Sequence, residues 1–357
     1  MGYEIDFLPV GEDKSGDAIT LRYGNLFGKR EEQVVVVIDG GFTDTGDTLV
    51  QHLANYYGTT KVDLVVSTHS DGDHASGLET VLTKCDVGCL WMHQPWNHTE
   101  DIAKMFKDGR VSDNSVTEAL RKSLDNARSL ERLANSRRIP IIEPFVGVHD
   151  ASNCVYVIGP SQGYYESLLP DFRCTPQPVE LGVLAKAFWG VEEVIKKIAE
   201  NWNFETLDDT GETTAENNSG AILLVVVGDN ALLFTGDVGI PALTRAVGYL
   251  EQVGFDLSKI TFIQVPHHGS RHNVGPTILN RLLGPKLQTE AVLKTAYVSV
   301  ARSQDDKHPS KRVMNAFRRR GAPVHATAGG PKCHFYQAPN RGWGASTALP
   351  FYREVED

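Results

Sequence analysis

Runs of apolar residues alternate along the chain with stretches in which apolar residues recur at helical spacing. Val34 to Ile38, Val62 to Val66 and Ile222 to Val227 are short apolar runs, typical of strands buried on both faces. Leu78 and Val81 begin a pattern with the spacing of an amphipathic helix. The chain is therefore expected to combine buried strands with helices that cover them.

Other segments extend this pattern. Ile222 to Val227 and Ala231 to Thr235 flank Gly228-Asp229-Asn230, which predicts a β-hairpin. The apolar positions from Val116 to Leu133 predict one long helix, and Pro309 to Arg320 predicts a final one.

Residues 161–216 interrupt the strand pattern. Within them Val191, Val194, Ile195 and Ile198 share one helical face. We interpret 161–216 as a helical insertion or lid within a single domain that covers residues 1–357.

Composition and charge narrow the class of protein. The formal net charge of −10 argues against a protein built mainly to coat nucleic acid, although it does not exclude a nuclease. No apolar run approaches the length of a membrane span, and the N-terminus lacks the features of a signal peptide. Five cysteines without a familiar zinc spacing favour free thiols, so we expect a cytoplasmic location and no membrane partner.

The candidate chemistry is concentrated where the strand at Val62 to Val66 ends. His69, Asp71, Asp73 and His74 follow it with small residues between them. Carboxylates held this close repel each other unless a cation neutralises them. Histidine and carboxylate together suit zinc, manganese or iron. A polar turn in which Asp73 caps the next helix is the simpler alternative, but it leaves both histidines without a role.

Similar residues follow other strands. Asp39 ends the strand at Val34 to Ile38, Asp237 follows the hairpin, and His267 and His268 follow the strand at Ile260 to Val265. Strand ends at one edge of a sheet lie close in space, so these side chains are expected to converge. His93 and His98 in HQPWNH could be ligands, substrate contacts or ordinary loop histidines.

These motifs resemble the metallo-β-lactamase superfamily, whose hallmark is HxHxDH after a strand. This chain has HxDxDH, with Asp71 at the second histidine position. That variant, with TGD and PHHGS downstream, is similar to the metallo-β-lactamase domain of the ComEC-type DNA-uptake proteins. Three further elements of that domain are matched. The early GDA element lies at Gly16 to Ile19, the NNxS element at Asn217 to Ser219, and the late HP element at His308-Pro309.

The resemblance implies a four-layer αββα sandwich and two divalent metal ions, zinc or manganese, at one edge of the sheets. It implies that His69, Asp71 and Asp237 hold one ion. Asp73, His74, Asp237 and one histidine of the 267/268 pair would hold the other, with His268 favoured. The strand ending VIGPS lacks the further histidine that many members carry. The first ion is therefore expected to bind weakly or with water ligands.

The remaining roles also follow from the resemblance. Asp73 would orient the attacking hydroxide, and His267 or His308 would donate a proton or hydrogen bond to the leaving oxygen. Asp39, Asn218 and Ser270 are candidate substrate or supporting contacts.

Three functions remain open. The first is a metal-dependent hydrolase acting on a phosphodiester, nucleic acid included, because two metals can clamp both oxygens of a displacement. The second is a small-molecule esterase or lactonase. The third is a partner-binding subunit of a larger system whose metal site is structural or vestigial. Whether the chain has a protein partner or forms a homo-oligomer is left open. The basic clusters Lys311-Arg312 and Arg318 to Arg320 could contact phosphates, but a solvated helix face explains them better.

Overall fold

The computed structural model describes residues 1–100, 112–173, 197–303 and 308–356. Seventeen strands are present in these ranges. They are β1 Gly2–Phe7, β2 Ala18–Gly24, β3 Gln33–Gly40, β4 Lys61–Val62, β5 Leu64–Val66, β6 Asp86–Val87, β7 Leu90–Trp91, β8 Ile141–Ile142, β9 Val155–Gly159, β10 Lys197–Ala199, β11 Ile222–Val227, β12 Asn230–Phe234, β13 Ile260–Gln264, β14 Thr295–Val298, β15 Val324–Ala326, β16 Lys332–Tyr336 and β17 Glu354–Glu356.

The α-helices of the same ranges lie mainly between strands. They are α1 Thr45–His52, α2 Gly72–Ala75, α3 Leu78–Lys84, α4 Asp113–Ser123, α5 Asp125–Arg137, α6 Gln162–Leu168, α7 Ala215–Asn218, α8 Ile240–Gln252, α9 Pro276–Leu283 and α10 Lys311–Arg319. Short 3₁₀ turns cover Arg30–Glu32, Pro95–Asn97, Leu169–Asp171, Leu257–Lys259 and His267–Gly269, and a π-helical turn, Leu53–Tyr57, extends α1.

Two large sheets form the centre of the fold. The first has seven strands in the order β16-β1-β2-β3-β5-β7-β8, and the second has six in the order β15-β14-β13-β12-β11-β9. In the first sheet β3, β5, β7 and β8 run parallel, and in the second β12 to β15 do so. Parallel strands need crossover connections, and the helices between them provide these.

The alternation of side chains along each strand builds three apolar layers. Val35 and Val37 of β3 pack under α1, α3 and α5, whereas Val36 and Ile38 face the second sheet. Leu223 of β11 lies in the layer between the sheets, and its neighbours face α8, α9 and α10. The predicted αββα sandwich is confirmed, and it explains why these strands are apolar on both faces.

Local predictions were wrong at several boundaries. The helix expected from Val116 to Leu133 is two helices that break at Leu124, and the last helix begins at Lys311 rather than at Pro309. Ile198, expected on a helical face, lies in β10 and pairs with Val355. The other members of that face, at 191, 194 and 195, lie outside the described residues.

Three arginines, in α10 or directly after it, contradict both interpretations of the basic clusters. Arg319 is fully buried and donates to Glu200, and Arg320 pairs with Glu205 at 2.7 Å. Arg312 is also buried and contacts backbone oxygens. These three side chains therefore form neither a solvated face nor a surface for phosphates. Among the described helices, none is long and apolar enough to cross a membrane.

Candidate metal centre

Asp39, at the end of β3, fixes two imidazoles of the first sheet. Its Oδ2 accepts from His74 Nδ1 at 2.8 Å and from the Thr68 hydroxyl at 2.6 Å. That hydroxyl, having donated its hydrogen to Asp39, can only accept from His69 Nδ1, which lies 3.1 Å away. Both imidazoles therefore carry their hydrogen on Nδ1, and both Nε2 lone pairs are left for the centre.

The loop after β5 carries Asp71 and Asp73 beside the centre. Asp71 is the N-cap residue of α2 and Gly77 that of α3, so Asp73 caps neither helix and the capping alternative is not supported. Gly16 packs directly under the loop, since a Cβ there would lie 2.5 Å from the carbonyl oxygen of Asp73. The backbone N–H of Asp17 donates to that same carbonyl at 3.1 Å.

The second sheet contributes His267 and His268 from the turn after β13. His268 Nδ1 donates to the Ser299 carbonyl at 3.1 Å, so its Nε2 is directed to the centre. Both residues have positive φ, 48° and 54°, as Asp39 does at 57°. Non-glycine residues rarely adopt this conformation, and the strain is typical of functional turns.

Four ligand atoms from the two sheets enclose one position for a cation. His74 Nε2 lies 3.4 Å from Asp237 Oδ2 and 4.0 Å from Asp73 Oδ2. His268 Nε2 lies 3.7 Å from the same Asp73 oxygen and 3.9 Å from the same Asp237 oxygen. Ligands about 2.1 Å from a tetrahedral ion lie about 3.4 Å apart, and these four separations are close to that value. We call this set of four ligands the second position, because it is the set expected to hold the second ion.

The first position is less complete. His69 Nε2, His74 Nε2 and an Asp237 oxygen lie within 4.8 Å of one another. Asp71 Oδ2 lies 3.9 Å from His69 Nε2, but both carboxylate oxygens of Asp71 face Arg173. Asp71 belongs to none of the close groups of ligand atoms found among the described residues.

Unpartnered atoms show that the residues fit metal ions. The Nε2 atoms of His69, His74 and His268 and Oδ1 of Asp237 are buried without a hydrogen-bond partner. A buried polar atom without a partner costs free energy, so these four atoms require a ligand. Imidazole and carboxylate donors of this kind suit zinc or manganese.

Charge within the centre supports the same conclusion. Burial would lower the pKa of His268, but Asp237 and Asp73 outweigh it and raise that pKa to about 9. Burial likewise opposes a charged His74, yet Asp237 and Asp39 raise its pKa well above the usual value. Burial raises the pKa of Asp17, and the nearby histidines only partly offset this. Without a metal, protons on imidazoles supply the positive charge that the carboxylates require.

The structure separates His267 from His268. The His267 side chain is 33% exposed, with Nε2 3.6 Å from Asp237 Oδ2, whereas His268 is buried. Asn273 donates through Nδ2 to the carbonyls of Asp237 and Val238 at 2.8 and 3.2 Å. Its Oδ1 then lies 3.0 Å from His267 Nδ1, and Asn217 Nδ2 lies 3.3 Å from the same nitrogen. The shorter contact, with Asn273, assigns the hydrogen to Nδ1.

The other sequence candidates lie around this cluster. Asn218 donates to Thr213 O and accepts from Gly239 N, and Ser270 Oγ accepts from His272 N at 3.3 Å, so both stabilise neighbouring turns. His308 precedes a segment that contacts the PHHGS turn, since Ser310 N donates to Gly269 O at 3.0 Å.

Sequence reasoning gave no role to three contributors. Asp17 is buried, and its ligand oxygen lies within 4.8 Å of those of Asp237 and His268. Gln264 donates to Asp17 Oδ2 at 2.8 Å while its Oε1 accepts from Thr235 N and Gly236 N. A polar residue at the end of an apolar strand was the available signal for Gln264. For Asn273 the sequence carried no signal.

The fold and this centre define a class: an αββα sandwich in which loops of both sheets form a site lined by histidines and aspartates whose arrangement fits metal ions. Within that class, residues 29–145, less than half of the chain, match the family model described as the metallo-beta-lactamase superfamily. The resemblance is thereby confirmed for this segment, which contains Asp39, His69 and His74. The convergence of Asp237 and His268 on them is a finding of the structure.

Comparisons with individual proteins are more distant. The uncharacterized protein YcaI of Escherichia coli (strain K12) is 28% identical over 126 residues, which cover 35% of this chain and 14% of that protein. A metal-dependent hydrolase of the beta-lactamase superfamily is 12% identical, with a TM-score of 0.40 over 95% of this chain and all (100%) of that one. A diphosphatase from the PhnP family is 10% identical, with a TM-score of 0.40 over 92% and 97% of the two chains. The assignment of this chain to the class described above rests on the family match of residues 29–145 and on the geometry of the centre.

Proposed function

We propose that this protein is a metal-dependent hydrolase of phosphodiesters that uses two divalent cations at the centre between the sheets. One observation carries the proposal: three imidazole Nε2 atoms and a carboxylate oxygen, all buried and unpartnered, converge beside further carboxylates. Bound cations would supply the partners that these atoms lack.

Bound divalent cations would polarise a phosphoryl oxygen and lower the pKa of water toward neutrality. The chain supplies the orientation. Asp39 and the Ser299 carbonyl hold a hydrogen of His74 and His268 on Nδ1, so their Nε2 atoms are directed at the centre before any ion binds. Asp73, whose side chain is 30% exposed, lies on the open side, where its carboxylate can orient an attacking water.

His267 is proposed to move a proton at Nε2. The tautomer selected by Asn273 leaves Nε2 as an acceptor. Burial lowers the pKa of His267, and Asp237 only partly offsets this. A donor role toward the leaving oxygen therefore requires that His267 first takes up a proton at this atom. His308 remains the alternative donor.

The substrate class is argued from chemistry and from the resemblance to the ComEC-type domain. Phosphodiesters suit a two-cation site, because one displacement develops charge on two oxygens. Nucleic acid as the substrate has weaker support, since Arg312, Arg319 and Arg320 are occupied inside the fold. We therefore propose a small phosphodiester as the substrate. Whether the protein also cleaves a nucleic-acid polymer is decided by the experiment below.

The test is an assay of the purified chain with Mn²⁺ or Zn²⁺ on single-stranded DNA, RNA, a chromogenic phosphodiester and a chromogenic carboxylic ester. The His74→Ala variant removes a central imidazole. The matched control is Asp150→Asn, which changes a carboxylate that caps the turn before β9, away from the centre.

Cleavage of the phosphodiester by the wild type and Asp150→Asn, but not by His74→Ala, supports the proposal. Cleavage of the carboxylic ester alone would support an esterase or lactonase instead. Bound metal without turnover of any substrate would contradict a hydrolase and favour the partner-binding subunit.

A further inference from the structure

Arg173 contacts the centre from the segment that follows α6. Its Nη2 lies 3.2 Å from each carboxylate oxygen of Asp71. Its Nε and its backbone N–H both donate to Glu216 Oε1, at 3.0 and 2.5 Å. One arginine therefore joins a carboxylate of the loop after β5 to a carboxylate of α7.

Glu216 is the fixed member of this group. Its side chain is only 4% exposed, whereas that of Arg173 is 64% exposed. Thr214 caps α7, the helix that carries Glu216, through a hydrogen bond from Asn217 N. Glu216 binds both the backbone and the side chain of Arg173. The guanidinium is therefore directed at Asp71, and pairing with Asp71 costs it little further conformational entropy.

Asp71 is the carboxylate whose contribution would complete the first position, next to His69. At present its charge is balanced by Arg173 rather than by any imidazole, because His69 Nε2 is 3.9 Å away. Asp73, two residues later, pairs with no arginine in the part of the chain that the structure describes, and it faces His74 and His268. The two positions thus differ in whether their carboxylate is free.

We propose that Arg173 is an internal counter-ion of Asp71 that competes with the cation of the first position, so that this position binds its ion more weakly than the second. The inference rests on the proposed two-cation centre. An ion that takes Asp71 must displace the guanidinium, and the remaining positive charge then opposes the ion.

The size of the effect follows from exposure. Ion pairs that reach solvent contribute little, and breaking one changes an equilibrium constant only severalfold. Removing the charge of Arg173 ends its competition with the ion for Asp71, and it also removes the repulsion between the guanidinium and the ion. Both effects strengthen ion binding at the first position. We expect about a three- to tenfold gain in affinity there.

The experiment titrates the metal-free chain with Mn²⁺ and measures the free ion by electron paramagnetic resonance. The wild type is expected to bind one ion tightly and a second more weakly. Arg173→Gln is expected to strengthen only the weaker step. Arg281→Gln is the matched control, because it removes a similar pair, with Glu251 at 2.8 Å, on the outer helices.

A double-mutant cycle isolates the pair. In an Asp71→Asn background, Arg173→Gln is expected to strengthen the weaker step less than it does in the wild type, because only the repulsion between the guanidinium and the ion is then removed. Two equally tight steps in the wild type, or an unchanged weaker step in Arg173→Gln, would overturn the inference. No Mn²⁺ binding by any variant would overturn the proposed function as well. Binding without hydrolysis would contradict the hydrolase alone and leave the inference supported.

Discussion

Asp39 illustrates how one residue sets the chemistry of the centre. It accepts a hydrogen bond from His74 directly and orients His69 through the Thr68 hydroxyl. One carboxylate therefore determines which ring nitrogen carries the hydrogen in both histidines. Its own backbone is strained at a φ of 57°, and the hydrogen bond from Thr68 N at 2.8 Å helps to hold it there. Supporting carboxylates of this kind are usually as important to metal binding as some ligands.

Replacement of Asp39 tests this role. We expect Asp39→Asn to weaken Mn²⁺ binding about 10- to 100-fold, because the amide presents a donor where His74 Nδ1 also donates. A competition titration with a chromophoric chelator measures the affinity. Asp150→Asn should lose stability but keep its affinity; an Asp39→Asn variant with wild-type affinity would refute the assigned role.

His93 presents a different use of an imidazole. It lies between Tyr165 and Phe145, with ring centroids 4.4 and 4.9 Å away, and neither ring nitrogen has a partner. Burial, with a smaller contribution from His98, lowers its pKa to about 3. The structure therefore shows a neutral core imidazole, which was one of the interpretations open from the sequence.

This burial makes stability depend on pH. Below about pH 6.5 the unfolded chain binds a proton at His93, whereas the folded chain does not until about pH 3, so acidification destabilises the fold. Between pH 7.5 and pH 5, His93 is expected to lower the free energy of unfolding by about 2 kcal/mol, and we expect His93→Phe to remove this loss. Urea unfolding at both pH values measures it. Equal losses in wild type and variant would show that His93 titrates normally in the fold.

Residue types were easier to predict than residue partners. The sequence indicated His69, Asp73, His74, Asp237 and His268 because each follows an apolar strand. Burial of Arg319 and Arg320 was not predictable, because their partners Glu200 and Glu205 lie more than a hundred positions away. The pairing of Asp71 with Arg173 was hidden for the same reason.

At the scale of elements, the apolar pattern identified central strands of both sheets, β3 and β5 in the first and β11 to β13 in the second. It failed where a local break does not interrupt the pattern, as at Leu124, whose φ of −101° and ψ of 55° separate two helices. It also failed at β10, a short strand that exists only because β17 pairs with it. Tertiary contacts decide such short elements.

The contact between the residue after β10 and α10 is expected to carry much of the stability of this region. Glu200 Oε2 accepts from Arg319 at 2.9 Å and from Asn315 at 2.7 Å, and both charged side chains are fully buried. Glu200→Gln leaves Arg319 buried without its counter-charge, at a cost of about 3–5 kcal/mol in urea unfolding. Glu251→Gln, which breaks a partly exposed pair, should cost less than about 1 kcal/mol. Similar costs for the two variants would contradict this assignment.

The whole molecule brings the centre together from two halves. Asp39, His69 and His74 follow strands of the first sheet, and Asp237 and His268 follow strands of the second. Ion binding should therefore stabilise the complete fold, by about 2.7 kcal/mol when free Mn²⁺ exceeds its dissociation constant 100-fold.

Thermal unfolding with Mn²⁺ and with EDTA measures this stabilisation. We expect Asp237→Ala to lose the metal content, the activity and the difference in melting temperature together, since its carboxylate contacts both positions. Metal content equal to that of the wild type would remove Asp237 as a shared ligand.

The division of the centre between the sheets has a consequence for the order of events during synthesis. A growing chain exposes His69 and His74 long before Asp237 and His268 have left the ribosome. Until then the early donors are an incomplete chelate, open to any ion in the surroundings. Selection of the correct metal must therefore wait until the two layers dock, and the acquisition of the ion would report that the last large step of assembly is complete.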